Sequence, residues 1–353
     1  MLKLISSYFE NSFRANFTDD RVLRPMVATY YVTAMCNFRC TYCEHYSADF
    51  NEFVKDKQAN TEDAKRIIDV IAEDCDVLYF TGGEPLVRTD IVEIVRHAYM
   101  RRMAYIGINT NALLIPRREG ILDYINNLVV SLDSLADAKY DAMLGMPLGT
   151  AKKVRTIVER YSKLQKERNF TMTVNCVVCP ENIQEAEDVM KFCEDLDIWY
   201  TISPQNVGRR PAFEILNNPA YRDFMDRLLA AKRQGKKISG ADSYYEGVSR
   251  FKPFQCYPNL TARIDPLGHL AYPCIPLGGQ AGNILENGSL LRTLRRGEEE
   301  QGPPPRCIDR CHMRCHAELS LLVKNPWELF TETFNHLRRR NGKNARSMTV
   351  VPE

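Results

Sequence analysis

The 353-residue chain has no long apolar run, and nothing in it approaches the roughly 18 residues that a membrane-spanning helix needs. A secretion signal is missing as well, because the N-terminal MLKLISSYFENSF carries a lone Lys and no extended apolar segment. These two absences point to the cytoplasm and to no membrane partner. No charge of one sign dominates. Lys and Arg number 47 against 45 Asp and Glu, a formal net charge of +2, which gives no field suited to nucleic acid or an anionic membrane. There are no internal repeats beyond an alternation of strand-like and helix-like segments. The length suits about two domains of roughly 150 residues each.

Cysteine is abundant, at 12 residues. In a long chain without a signal sequence this suggests metal ligation rather than disulfides. Cys36, Cys40 and Cys43 lie together near the start. Cys256, Cys274, Cys307, Cys311 and Cys315 gather near the end, and Cys75, Cys176, Cys179 and Cys193 are scattered between. Thiolates suit zinc or iron–sulfur clusters. The first group has Cys-x3-Cys-x2-Cys spacing and supplies three ligands where most sites want four. His45 is the nearby residue able to close a zinc site.

From about residue 26 to 215, apolar β-rich runs alternate with amphipathic helical patterns. The runs are MVATYYVT, DVLYFTGG, AYIGINTN, NLVVSLD, FTMTVNCVV and WYTISPQ, with helices predicted near NTEDAKRIIDVIAE, TDIVEIVRHAYMRR, REGILDYIN, GTAKKVRTIVERYSKLQKER and IQEAEDVMKFCEDL. Such alternation implies parallel strands in an α/β fold, either closed wholly or partly into a barrel or left open and doubly wound. In both cases the working face lies at the strand C-terminal ends. Residues 256–315, rich in Cys, Pro and Gly, could not bury a core alone and need a metal to hold them. One hairpin is expected in TARIDPLGHLAYPC.

CNFRCTYC, with Tyr42 before the last Cys, followed by GGEPL, resembles the radical S-adenosylmethionine (radical SAM) enzymes. TNALL at 110–114 is similar to that family's TNG motif, with Ala112 in place of Gly, and VSLDS at 130–134 and VNCVV at 174–178 resemble its fourth and fifth strands. The resemblance implies a partial (β/α)6 TIM-type barrel. In it Cys36, Cys40 and Cys43 hold three irons of a [4Fe–4S] cluster, and S-adenosylmethionine chelates the fourth. Reductive cleavage then yields a 5′-deoxyadenosyl radical that abstracts hydrogen from substrate. Gly82, Gly83 and Glu84 would line the methionyl group, with Glu84 accepting from its ammonium. Asn111, Ser131 and Asp133 would lie near the ribose or carboxylate, against the alternative that Ser131 and Asp133 cap the next helix. Tyr42 would stack near the adenine or pack on the cluster.

IDPLGHLAYPC followed by GNILENGSLLRTL is similar to the C-terminal extension called SPASM, or its shorter relative twitch. That implies a small Cys-rich domain with one auxiliary [4Fe–4S] cluster on Cys256, Cys274 and two of Cys307, Cys311 and Cys315. A structural zinc is the alternative, and His312 and His316 make a mixed site conceivable, although such histidines are more often exposed neighbours. The implied organisation is an N-terminal helical extension at 1–25, the barrel at 26–215, a helical connector at 216–250, the SPASM/twitch-like domain at 251–320, and a C-terminal helix and tail at 321–353. Cys176 and Cys179, at a strand end, are candidate catalytic donors of a hydrogen atom or proton; Cys75 and Cys193 are expected to pack inside. The basic stretches RRMAYIG and LRRRNGKNAR are solvated surface, or one of them docks a flavodoxin- or ferredoxin-type reductant. Because the first cysteines lie so near the start, a small metabolite is the expected substrate, with a peptide-modifying maturase as the alternative. A non-catalytic iron–sulfur or zinc binding protein is the rival from another class.

Overall fold

A computed structural model describes residues 2–43, 58–308 and 311–328. His45, LRRRNGKNAR and most of the expected C-terminal helix lie outside the described residues. α1 (Leu2–Phe17) precedes six parallel strands: β1 (Val27–Tyr31), β2 (Val77–Thr81), β3 (Tyr105–Thr110), β4 (Asn127–Ser131), β5 (Thr171–Val178) and β6 (Trp199–Pro204). Between them run α2 (Thr61–Asp74), α3 (Ile91–Met100), α4 (Asp137–Met143), α5 (Thr150–Ser162) and α6 (Ile183–Asp195). Each helix has a local cause. In α2, for example, Asn60 accepts from the Asp63 N–H as N-cap, and Ala64, Ile67, Ile68 and Ile71 form the buried stripe. The helix expected near REGILDYIN is instead two short 3-10 turns, Ile115–Arg117 and Glu119–Asp123. Pro116 and Gly120 interrupt a linker too short for regular α-helix.

The short strands β7 (Asn206–Val207) and β8 (Arg210–Pro211) lead into α7 (Phe213–Leu216), α8 (Pro219–Arg233) and α9 (Asp242–Val248). The expected hairpin is present as β9 (Thr261–Ile264) and β10 (His269–Ala271), joined by β11 (Gln280–Asn283) and followed by α10 (Ile284–Asn287), α11 (Leu290–Gln301) and α12 (Arg314–Lys324). β9 pairs in parallel with β1, so one nine-stranded sheet runs β11-β10-β9-β1-β2-β3-β4-β5-β6 through both cysteine regions. This is a partial barrel whose C-terminal region extends the same sheet. α12 spans the gap between β9 and the β6 side. Thr261 Oγ1 donates to the Cys315 carbonyl at 3.0 Å, Arg314 Nη2 to the Ser239 carbonyl at 2.9 Å, and Ser239 N to Tyr200 O at 2.8 Å. No described helix is long and apolar enough to cross a membrane.

Strand alternation sorts side chains between two environments. Ala28, Tyr30, Leu78, Phe80, Ile106, Ile108, Leu128, Val130, Met172, Val174, Tyr200 and Ile202 are buried in the core cluster. The alternate positions, including Thr29, Asn109, Asn127, Thr173, Asn175, Thr201 and Ser203, line a cavity inside the barrel.

Candidate active site

The loop after β1 carries Cys36, Cys40 and Cys43 and rests on the glycine pair after β2. Gly83 N donates to Thr33 O at 2.9 Å and Glu84 N to Met35 O at 2.8 Å. Gly82 has φ +150°, and a Cβ there would stand 2.2 Å from Thr33 O; one at Gly83 would stand 2.3 Å from Met35 O. Only glycine lets the two loops touch. On the other side, Arg39 N and Thr41 N donate to Leu144 O and Met143 O. The three thiols open onto a cavity of about 630 Å3 together with Tyr42, Gly82, Gly83, Glu84, Asn111 and Ser131. Burial pushes the Cys40 thiol up to about 12, so metal binding must displace its proton.

Glu84 is buried, and both its oxygens are engaged. Oε1 accepts from Leu86 N at 3.0 Å and from Thr110 Oγ1 at 2.8 Å; Oε2 accepts from Asn111 N at 2.7 Å. The carboxylate therefore braces the β3 loop, and Asn111 Nδ2 in turn reaches Asn37 Oδ1 at 2.8 Å. Ala112, at the family's glycine position, has φ +68°, the left-handed conformation glycine would adopt without strain. Burial pushes Glu84 up to about 7 against its hydrogen-bond donors. The folded protein thus holds a proton that the unfolded chain releases near pH 4.5, and stability is lost as pH rises from there towards 7, on the order of 3 kcal/mol in all. Urea unfolding of the metal-free protein is expected to show lower stability at about pH 8 than at about pH 5, with much of that slope gone in Glu84→Gln. Equal slopes in the two proteins would contradict this reading.

Three expectations are corrected here. Asp133 neither caps a helix nor lines the cavity: α4 has Ala136 at its N-cap. Fully buried, Asp133 accepts from Val177 N at 2.7 Å and from the Tyr42 hydroxyl, and burial pushes it up to about 6. Tyr42 touches the cavity, but its hydroxyl is committed to this tie between cysteine loop and sheet. Cys176 and Cys179 are not in the cavity. On β5 the cavity face is Thr173, Asn175 and Val177, so Cys176 faces the helices, and Cys179 is buried beyond the strand end. Burial raises both thiols. Their weak contacts are to the carbonyls of Asp133 and Val177.

The sequence reading missed the deep wall of the cavity. Ser203 Oγ donates to Asn175 Oδ1 at 3.1 Å, Thr173 Oγ1 to Asn127 Oδ1 at 3.0 Å, and Thr201 shares a hydrogen bond with Tyr245 at 3.1 Å. The signal was present: polar residues at every second position of strands otherwise expected to be apolar. Arg314 and Glu318, paired at 3.0 Å, close the wall from α12, and no local motif marks them.

The second cysteine group divides. Cys256, Cys274, Cys307 and Cys311 line one pocket with Pro258, Leu277 and His316. Cys315 lies apart on the barrel cavity, where its Sγ accepts from Arg263 Nη2. His312 and His316 are buried rather than exposed. His312 packs between Phe251 and Phe254 and meets Lys252 O at 3.1 Å. Both ring nitrogens of His316 are buried beside the four thiols, near the Pro258 carbonyl. Among the described residues, no three His, Cys, Asp or Glu side chains converge as one metal ion requires. In the basic stretch after α3, Arg101 pairs with Asp69 and Glu73 at 3.1 and 2.9 Å.

Residues 30–193 match the family described as the Radical SAM superfamily. These residues form a Radical SAM domain. The chain is 24% identical over 315 residues to the AdoMet-dependent heme synthase of Methanosarcina barkeri (strain Fusaro / DSM 804), covering 79% of this chain and 87% of that protein. Streptococcus suis SuiB bound to S-adenosylmethionine superposes with a TM-score of 0.58 at 16% identity, covering 75% of this chain and 64% of that one, so the chain spans under two thirds of SuiB. Native anSMEcpe with bound AdoMet and Cp18Cys peptide gives 0.56 at 16%, covering 90% and 99%. At these identities the likeness is one of fold. A radical SAM enzyme carries a [4Fe–4S] cluster and uses S-adenosylmethionine.

Proposed function

We propose that Cys36, Cys40 and Cys43 hold the radical SAM cluster, and that the chain abstracts a hydrogen atom from a small polar metabolite. The observation that carries this is the shared cavity. Three thiols, the glycine pair and the Asn111 loop open at its mouth, and a wall of amides and hydroxyls closed by the Arg314–Glu318 ion pair forms its depth. At about 630 Å3 it falls within the roughly 300–1,000 Å3 of sites for one drug-sized ligand. With S-adenosylmethionine seated at the mouth, the remaining depth suits a compact, hydrogen-bonding substrate. The bound cofactors supply radical generation; the chain binds, orients and excludes water. Backbone groups of the Gly82–Gly83 turn, with Asn111 and Ser131, hold the cosubstrate. Glu84 acts by fixing the Asn111 loop, and Asp133 by fixing Tyr42 and the cysteine loop.

Cys256, Cys274, Cys307 and Cys311 fit an auxiliary [4Fe–4S] cluster. The donor set is four thiols in a largely apolar pocket, the soft-ligand surroundings that suit an iron–sulfur cluster. Held there by Cys256, Cys274, Cys307 and Cys311, such a cluster would supply one-electron oxidation for a net oxidation or bond formation. A flavodoxin- or ferredoxin-type protein supplies the first electron.

A peptide side chain is the second reading, favoured by the peptide in the similar anSMEcpe structure. Size-fractionated, deuterated cell extract separates the two. With reductant and S-adenosylmethionine, deuterium is expected in 5′-deoxyadenosine from the small-molecule fraction. Transfer only from the macromolecular fraction would replace the metabolite by a peptide.

A further inference from the structure

The deep wall of the barrel cavity holds an ion pair that stability alone does not require. Arg314 and Glu318 stand one turn apart on α12, and both line the cavity. Among the described lining residues, Arg314 is the one cation. Glu84, the other lining carboxylate, has both oxygens on protein donors. An ion pair withdrawn from water pays heavily in desolvation, and neutral residues of similar volume often serve stability as well or better.

The pair is clamped in place. Arg314 Nε donates to Glu318 Oε2 at 3.0 Å and Nη2 to the Ser239 carbonyl at 2.9 Å, and the guanidinium carbon lies 5.7 Å from the Tyr244 ring centroid. Glu318 Oε1 accepts from Ala241 N at 2.9 Å. Gly240, at φ +124°, permits this close approach: a Cβ there would stand 2.9 Å from Arg314 Nη2 and 3.1 Å from Glu318 Oε1. Nε and Nη2 are thus engaged, while Nη1 has no partner among the described residues. The Nη1 hydrogens are the remaining donors of the one cation on the cavity.

We propose that the substrate carries a carboxylate and that Arg314 is the specificity-determining residue that binds it. The inference deepens the small-metabolite reading above and rests on it. A guanidinium matches a planar carboxylate and gives it short, charge-assisted hydrogen bonds. Charge selects a carboxylate over a phosphate monoester. Glu318 already answers Arg314, so the wall accommodates one added negative charge better than the nearly two of a phosphate. Glu318 and Ser239 fix the guanidinium before the ligand arrives, so little freedom is lost on binding. Asn127, Thr173, Asn175 and Ser203 then meet the polar remainder of the molecule.

The test uses the anaerobically reconstituted full chain with the deuterated small-molecule fraction of cell extract. One aliquot is treated with acidic methanol, which converts carboxylates to methyl esters, and another with a phosphatase. Deuterium transfer to 5′-deoxyadenosine is expected to vanish with the esterified aliquot, to return after alkaline hydrolysis of the esters, and to survive phosphatase. Transfer that survives esterification overturns the proposal; if phosphatase abolishes it instead, the anion is a phosphate. The variant Arg314→Gln/Glu318→Gln removes both charges at nearly constant volume. It is expected to need at least about tenfold more of the untreated fraction for half-maximal transfer, with iron content and circular dichroism as in wild type. A folded, fully loaded double variant that matches wild type at limiting fraction also overturns the proposal. The esterification arm needs no variant, so it decides alone if the double variant loses iron or fold. Wild-type transfer only from the macromolecular fraction would remove the small-metabolite reading itself, and the proposal with it.

Discussion

Changing Cys36, Cys40 and Cys43 together to alanine is expected to remove about four of about eight iron atoms per chain and to abolish S-adenosylmethionine cleavage. The protein should still fold. The loop is seated by contacts that do not use the thiols: Gly83 N to Thr33 O, Glu84 N to Met35 O, Arg39 N to Leu144 O and Thr41 N to Met143 O. Tyr42 to Asp133 adds a side-chain tie. Circular dichroism should therefore match wild type while iron and cleavage are lost. A triple variant that still cleaves the cosubstrate would show that these thiols are not its site.

The second large effect separates four cysteines from a fifth. Alanine at Cys256, Cys274, Cys307 or Cys311 is expected to cost the auxiliary cluster, leaving about four irons per chain. Cys315→Ala should keep about eight, because Cys315 lines the barrel cavity, where it accepts from Arg263, and is outside the four-thiol pocket. The measurement is iron content with electron paramagnetic resonance on each single variant. Iron loss in Cys315→Ala equal to that of the other four would refute this division. An iron content near four with one zinc in the wild type would favour the structural metal.

Features set by short-range chemistry were legible in the sequence. Three thiols within eight residues and the glycine pair on the next strand are neighbours in the fold because a single βα unit joins them. The alternation of strands and helices likewise specifies a parallel sheet. Long-range pairing was not legible. Nothing local in TARI says that β9 joins β1, yet this pairing places Arg263 and α12 against the barrel. Spacing alone could not choose four of five cysteines, since tertiary packing decides which thiols share a pocket. Asp133 was misread because an Asp after a strand serves equally as a helix cap, a ligand contact or a brace, and its partners Tyr42 and Val177 are far away in sequence. Cys176 was a different kind of error. Its neighbour Asn175 already marked the polar face of β5, and strict alternation puts the next residue on the other side.

The central claim is that the first three cysteines and the cavity they open onto form a site for reductive cleavage of S-adenosylmethionine. The direct measurement is 5′-deoxyadenosine produced by the wild-type chain after anaerobic reconstitution with iron and sulfide, reduction with dithionite and addition of S-adenosylmethionine. The account predicts 5′-deoxyadenosine and methionine in equal amounts, dependent on reductant. A fully loaded, reduced protein that forms neither would contradict it.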